Sequence, residues 1–165
     1  VEILEPASAP RREAYAALLS RLRERKGITR SAAEHLLRDP NVFGAMMVRE
    51  NDADALVTGL TTHYSDAVRP LLQIIPLRPG VRLASGLYLA LTTQRKLYFF
   101  ADCTVNIDPS GALGGAQILG PILMGPSRPV HVLQRDASVS DVVNLAALAA
   151  VEAGELTLSE VPLLS

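Results

Sequence analysis

Thr61, Thr62, His63, Ser65 and Arg69 crowd a short polar stretch just after an apolar run that ends at Gly59. Hydroxyls, an imidazole and a guanidinium in that order are groups that hold an anion. The run Ala55 to Thr58 reads as a short strand and the polar cluster lies near the start of the next helix. Unpaired N–H groups and the positive dipole end favour negative charge at a helix start. The carboxyl end of a strand is also where open α/β sheets bind ligands. Arg69 adds a planar fork matched to phosphate or carboxylate. On residue types alone Arg69 reads first as a surface arginine bonding the helix before it, and His63 equally as a cap or surface residue.

Alternating elements must position this cluster. Val1 to Leu4 reads as a strand, Arg11 to Lys26 as an amphipathic helix ended by Gly27, and Thr29 to Leu37 as a helix capped by Thr29. Val42, Met46 and Met47 lie at helical spacing after Asp39, and the polar break Glu50 to Asp54 stops that helix. Beyond Ile75, Leu83 to Leu91 and Leu97 to Ala101 predict paired strands around the polar Thr92 to Lys96. Ile118 to Met124 and Val130 to Leu133 predict two more around the turn Gly125 to Pro129, and Ser138 caps a final helix, Val139 to Ala153. Such alternation predicts an α/β fold, a sheet with helices outside it.

Composition narrows the function. The 165 residues suffice for one core. A net charge of -1 gives no support to a nucleic-acid surface. The basic runs Arg11 to Glu13 and Arg21 to Lys26 are interrupted by glutamates, which predicts a solvated helix face with i,i+4 pairs. One cysteine, Cys103, excludes an intrachain disulfide and leaves no zinc pattern, so a reducing cytoplasm is expected. Asp102, Asn106 and Asp108 form a polar run that turn chemistry explains without a metal. No stretch approaches the roughly 20 apolar residues of a membrane span. The tail after Ala153 reads as an extra strand or a frayed end.

Three blocks carry a resemblance. GAMMVRENDADALVTGL with Arg69-Pro70 and LQII, LYFFADCTVNIDPS from Leu97, and GGAQILGPILMGPSRPVHVLQRDASVSDVVNLAALAAVEA from Gly114 resemble the phosphate acetyltransferase (phosphotransacetylase) family in the same order. The resemblance implies a three-layer α/β fold with helices on both faces, like the first domain of phosphotransacetylases and isocitrate dehydrogenases. In the family a whole second domain separates the regions that Gly111 to Leu113 bridge here. The family also has a strand, helix and strand ahead of anything like VEILEP. A fragment is therefore expected, one domain assembled from 1–110 and 112–165 around a missing insertion.

The resemblance also implies a site. An arginine in the position of Arg69 serves phosphate or coenzyme A binding. A serine-arginine pair and a downstream aspartate match Gln134, Arg135 and Asp141, the serine being replaced by Gln134. The family's Asn-Asp just upstream appears as His131-Val132. In that chemistry the aspartate acts as base toward the coenzyme A thiol, while arginine and serine stabilise developing charge. With the serine lost, HVLQ and DVVNLAALAAVEA resemble most the phosphotransacetylase-like C-terminal domain of bacterial NADP-dependent malic enzymes. The expected function is then a regulatory acetyl-CoA-binding and oligomerisation domain, inactive by itself. Malate oxidation, NADP and a divalent metal would belong to other domains, with no cofactor in this one. A working phosphate acetyltransferase is the alternative, and a purely structural module the third reading. The broad apolar band Val142, Val143, Leu145, Ala146, Ala149, Ala150 and Val151 predicts a homo-oligomer.

Overall fold

The computed structural model describes residues 2–101, 116–135 and 137–154. Helices α1 (Arg12–Leu22), α2 (Arg30–Leu36) and α3 (Pro40–Arg49) come first, with a 3-10 turn at Glu24–Lys26. Then follow β1 (Leu56–Thr58), α4 (Tyr64–Ile74), β2 (Ser85–Leu91), β3 (Leu97–Ala101), β4 (Gln117–Met124), β5 (Val130–Val132) and α5 (Val139–Ala153). Local signals set most boundaries. Gly27 closes the 3-10 turn in the left-handed region at φ 75°, the Thr29 side chain accepts from the Ala32 N–H, and Asp39 caps α3 ahead of Pro40.

Strand β1 pairs parallel with β5, Thr58 opposite Val132, while β2 is the antiparallel centre of the order β3-β2-β4. The two sheets meet where the Leu123 N–H points to Nδ1 of the buried His131, 3.4 Å away. That contact makes Nδ1 the acceptor, and Nε2 lies 3.2 Å from Glu152 Oε2 without hydrogen-bond alignment.

Side chains alternate between two cores. Leu123, Val130 and Val132 face the packed interior of α1 to α4, with Phe43, Met46 and Leu71, whereas Ile122 and Leu133 face Leu145 of α5. Helices therefore cover both faces of the strand layer, the α/β architecture expected.

The expected strand at Val1 to Leu4 does not form over the described residues 2–4. Ile3 is 91% exposed, and the apolar letters there find no strand to pair with. Gly120 and Pro121 lie inside β4 and not at its turns. They form a bulge opposite Tyr88, between the pairs Leu87–Ile122 and Leu89–Leu119, and a Cβ on Gly120 (φ 146°) would stand 2.8 Å from Tyr88 Cδ1, so the bulge makes room for the Tyr88 ring. Cys103, Asp102, Asn106, Asp108, the bridge 111–113 and the tail from 155 lie outside the described residues.

Candidate functional site

The carboxyl ends of β1 and β5 are held side by side. The Leu133 N–H donates to the Thr58 carbonyl at 2.6 Å, and a Cβ on Gly59 (φ 116°) would fall 2.3 Å from the Leu133 carbonyl oxygen. Only glycine allows both this approach and this backbone angle. Thr61, Thr62, His63 and Ser65 follow directly. His63 is the N-cap of α4 without a side-chain cap bond, Thr61 and Ser65 are exposed, and the Thr62 N–H reaches the Gly59 carbonyl at 3.4 Å. Gln134 and the exposed Arg135 leave the end of β5 beside them. The parallel register thus gathers the α4 start, Gln134 and Arg135 at one edge.

A second helix start, that of α5, follows Arg135. Ser138 and Asp141 form a reciprocal capping box: Asp141 Oδ2 accepts from the Ser138 N–H and Oγ, each at 2.7 Å, and the Asp141 N–H donates to Ser138 Oγ at 3.2 Å. Asp141 is therefore held in place by the helix it caps, with Oδ1 free of partners among the described residues. The positive ends of α4 and α5 add to the attraction for an anion here.

Arg69 sits elsewhere. It lies five residues beyond Tyr64, about 7.5 Å along the helix, and lines a cavity of about 300 Å³ with Arg23, Asp39, Asp66, Pro70 and Gln73, over apolar walls from Leu19, Ile28, Leu36 and Val42. None of Thr61 to Ser65, Gln134 or Arg135 lines it. Neither guanidinium has a hydrogen-bond or ion-pair partner among the described residues. Asp39 is committed to the Asn41 backbone and side-chain N–H groups, at 2.8 and 3.0 Å, which leaves two cations facing one uncommitted carboxylate, Asp66. Arg23 came from a basic run expected to be a solvated face; Arg21, Arg25 and Lys26 are exposed as expected and Arg23 is half-buried. In the other run Arg12 Nη2 donates to the Glu34 carbonyl and Arg11 pairs with Asp52, both across elements and not at i,i+4.

Three polar contacts escaped the sequence. Asn41, buried at the head of α3, accepts from Thr58 Oγ1 at 2.6 Å and so ties α3 to the end of β1. Gln134 Nε2 donates to the hydroxyl of the buried Tyr88 at 2.6 Å, joining the end of β5 to the middle of β2. Tyr64, the first residue of α4, lies against the same group. Its hydroxyl is pushed up to about 12, chiefly by burial and secondarily by Tyr88. Among the described residues no His, Cys, Asp and Glu side chains group into a metal site, and no helix is long and apolar enough to cross a membrane.

A family model described as phosphate acetyl/butaryl transferase matches residues 1–112 and 110–150. A phosphate acetyltransferase of Nitratidesulfovibrio vulgaris is 32% identical over 140 residues, 85% of this chain and 19% of that protein. One from Synechocystis is 39% identical over 110 residues, 67% of this chain and 16% of that protein. One from Clostridium acetobutylicum is 35% identical over 114 residues, 66% of this chain and 34% of that protein. The chain thus spans from 16% to 34% of the length of these relatives. A phosphotransacetylase structure from Streptococcus pyogenes superposes with a TM-score of 0.82 at 22% identity, covering 92% of this chain and 78% of that one. The EutD phosphotransacetylase of Staphylococcus aureus gives 0.77 at 21% identity, with 94% and 78% covered. At that identity the two structures establish the fold.

These matches correct the malic enzyme reading. The relatives are phosphate acetyltransferases and the structural neighbours phosphotransacetylases, so the regulatory malic enzyme domain, with its oxidoreductase, NADP and allosteric roles, gives way to the acyltransferase alternative. The malic enzyme expectation rests on Gln134, which bonds Tyr88, and on apolar positions along α5 that pack against the strands. Neither identifies a second enzyme.

Proposed function

The chain belongs to the phosphate acetyl/butaryl transferase family, and from that premise we propose that it binds an acyl-coenzyme A and serves acyl transfer between an acyl phosphate and coenzyme A. The observation that carries the reading is the pair Arg23 and Arg69, two unpartnered guanidinium groups lining one cavity with apolar walls. Arg23 is half-buried and Arg69 exposed at the mouth of the cavity; cations without partners favour an anionic ligand, and apolar walls beside them suit a ligand that is phosphate at one place and organic at another.

In the reaction, the coenzyme A sulfur attacks the carbonyl carbon of the acyl phosphate. A C–S bond forms, the C–O bond to the phosphoryl group breaks, phosphate leaves, and the thiol proton passes to a base. We assign that base to Asp141 and charge stabilisation to Arg135, with the departing phosphate at Thr61, Thr62, His63 and Ser65, where the α4 N–H groups begin. Gln134 in place of the resembled serine changes the donor without removing it, since an amide keeps N–H groups. The two matched segments overlap at residues 110–112. This supports a single unit assembled from 1–110 and 112–165, with the family's inserted domain absent between them. A homo-oligomer through α5 is supported by Val143, 39% exposed, and light scattering tests it. A cytoplasmic setting suits the substrates.

Calorimetric titration with acetyl-CoA tests the binding step. Saturable binding that Arg69→Ala weakens is expected. A folded chain that binds neither acetyl-CoA nor coenzyme A contradicts the proposal.

A further inference from the structure

Gln134 sits at the end of β5 beside Gly59 and Arg135, the position assigned to the reacting group. A glutamine there has three side-chain rotors, and ordering a long side chain carries an entropic cost. The structure removes that freedom before any ligand arrives. Tyr88 projects from the middle of β2, 7% exposed, seated by the bulge at Gly120 and Pro121, and its hydroxyl accepts one N–H of the Gln134 amide at 2.6 Å. The bond crosses from one sheet to the other. It leaves Gln134 with one further N–H and its carbonyl oxygen, neither bonded among the described residues.

We propose that Gln134 hydrogen-bonds the acyl carbonyl of the ligand, and that Tyr88 is the positioning residue that fixes the Gln134 amide for it. The inference rests on the acyl-CoA reading above and deepens it: Gln134 and Tyr88 recognise the acyl group, while Arg23 and Arg69 recognise anionic parts common to coenzyme A and acetyl-CoA. An N–H directed at the carbonyl oxygen stabilises the negative charge that develops there when sulfur adds to carbon. The resembled serine would do this with a short hydroxyl; here a longer amide does it because a second side chain holds it still. The two residues, 46 apart in sequence, therefore act as one group.

Calorimetry separates these roles, because only acetyl-CoA carries the acyl carbonyl. The quantity read is the ratio of acetyl-CoA to coenzyme A affinity in the native chain, Tyr88→Phe, Gln134→Ala and the double variant. A neutral hydrogen bond changes affinity about 2- to 12-fold, so each single variant should lower the ratio by that factor while coenzyme A affinity stays unchanged. The double variant should lose no more than Gln134→Ala alone. Circular dichroism checks the fold, and Gln134→Ala, which leaves the buried Tyr88 ring in place, keeps the test open if Tyr88→Phe unfolds. Equal loss for both ligands, or a ratio unchanged in Gln134→Ala, overturns the inference while leaving the acyl-CoA reading intact. A native chain that binds neither ligand overturns both.

Discussion

In the cavity between α1 and α4 the guanidinium groups of Arg23 and Arg69 lack partners among the described residues, whereas beside the ends of β1 and β5 several polar side chains are tied in pairs. Thr58 holds Asn41, Tyr88 holds Gln134, and Ser138 and Asp141 hold each other. An unpaired cation gains most from an arriving anion. A tied side chain gains less per contact, but its geometry is set beforehand, which matters where atoms react. The cavity is thus read as the source of affinity and the strand-end edge as the source of orientation.

The largest effect should come from breaking the edge itself. Gly59→Ala would combine a positive φ with a Cβ 2.3 Å from the Leu133 carbonyl. Strain and overpacking each cost about 1–3 kcal/mol, so urea unfolding should show the chain less stable by about 2–6 kcal/mol. Next comes the cavity. Arg23→Ala and Arg69→Ala should each weaken acetyl-CoA and coenzyme A binding alike, about 10- to 150-fold for a charge-assisted bond. Arg69→Lys should recover only part, because a point charge lacks the fork. Loss at the edge with binding intact, or the reverse, sharpens the division; equal effects on everything dissolve it.

The legible parts of the molecule are the ones fixed by neighbours in sequence. Thr29, Asp39 and Ser138 announce their helices, Gly59 ends its strand, and α5 runs Val139–Ala153 as its pattern predicts. The residues that complete the site are fixed by distant partners. Nothing local distinguishes Arg23, which enters a cavity, from Arg21 two residues earlier, which does not line it. Asn41 with Thr58, and Tyr88 with Gln134, are pairs across elements, and the bulge that seats Tyr88 appears only when β2 and β4 are in register. Residues 2–4 form no strand for the same reason in reverse: an apolar run is a strand only if a strand lies beside it.

Smaller effects probe the edge more gently. Ser138→Ala removes the cap that also anchors Asp141. It should cost about 1 kcal/mol of stability, and it should lower transfer more than binding because the assigned base loses its anchor. Alkaline pH acts on Tyr64 at the edge and on Tyr15 away from it in α1. Burial raises Tyr64 to about 12, and burial with the Asp52 bond raises Tyr15 as well. A folded value above the unfolded one, about 10, means the contribution is full below pH 10 and is lost as pH rises toward 12. Thermal midpoints should fall over that window, and Tyr64→Phe should shallow the fall.

Acetyl transfer tests the central claim most directly. Mixing the folded chain with acetyl phosphate and coenzyme A and following thioester formation should give a rate that saturates in both substrates and drops about 10- to 150-fold at subsaturating coenzyme A in Arg69→Ala. A folded chain that binds coenzyme A yet forms no thioester above the uncatalysed rate contradicts the account.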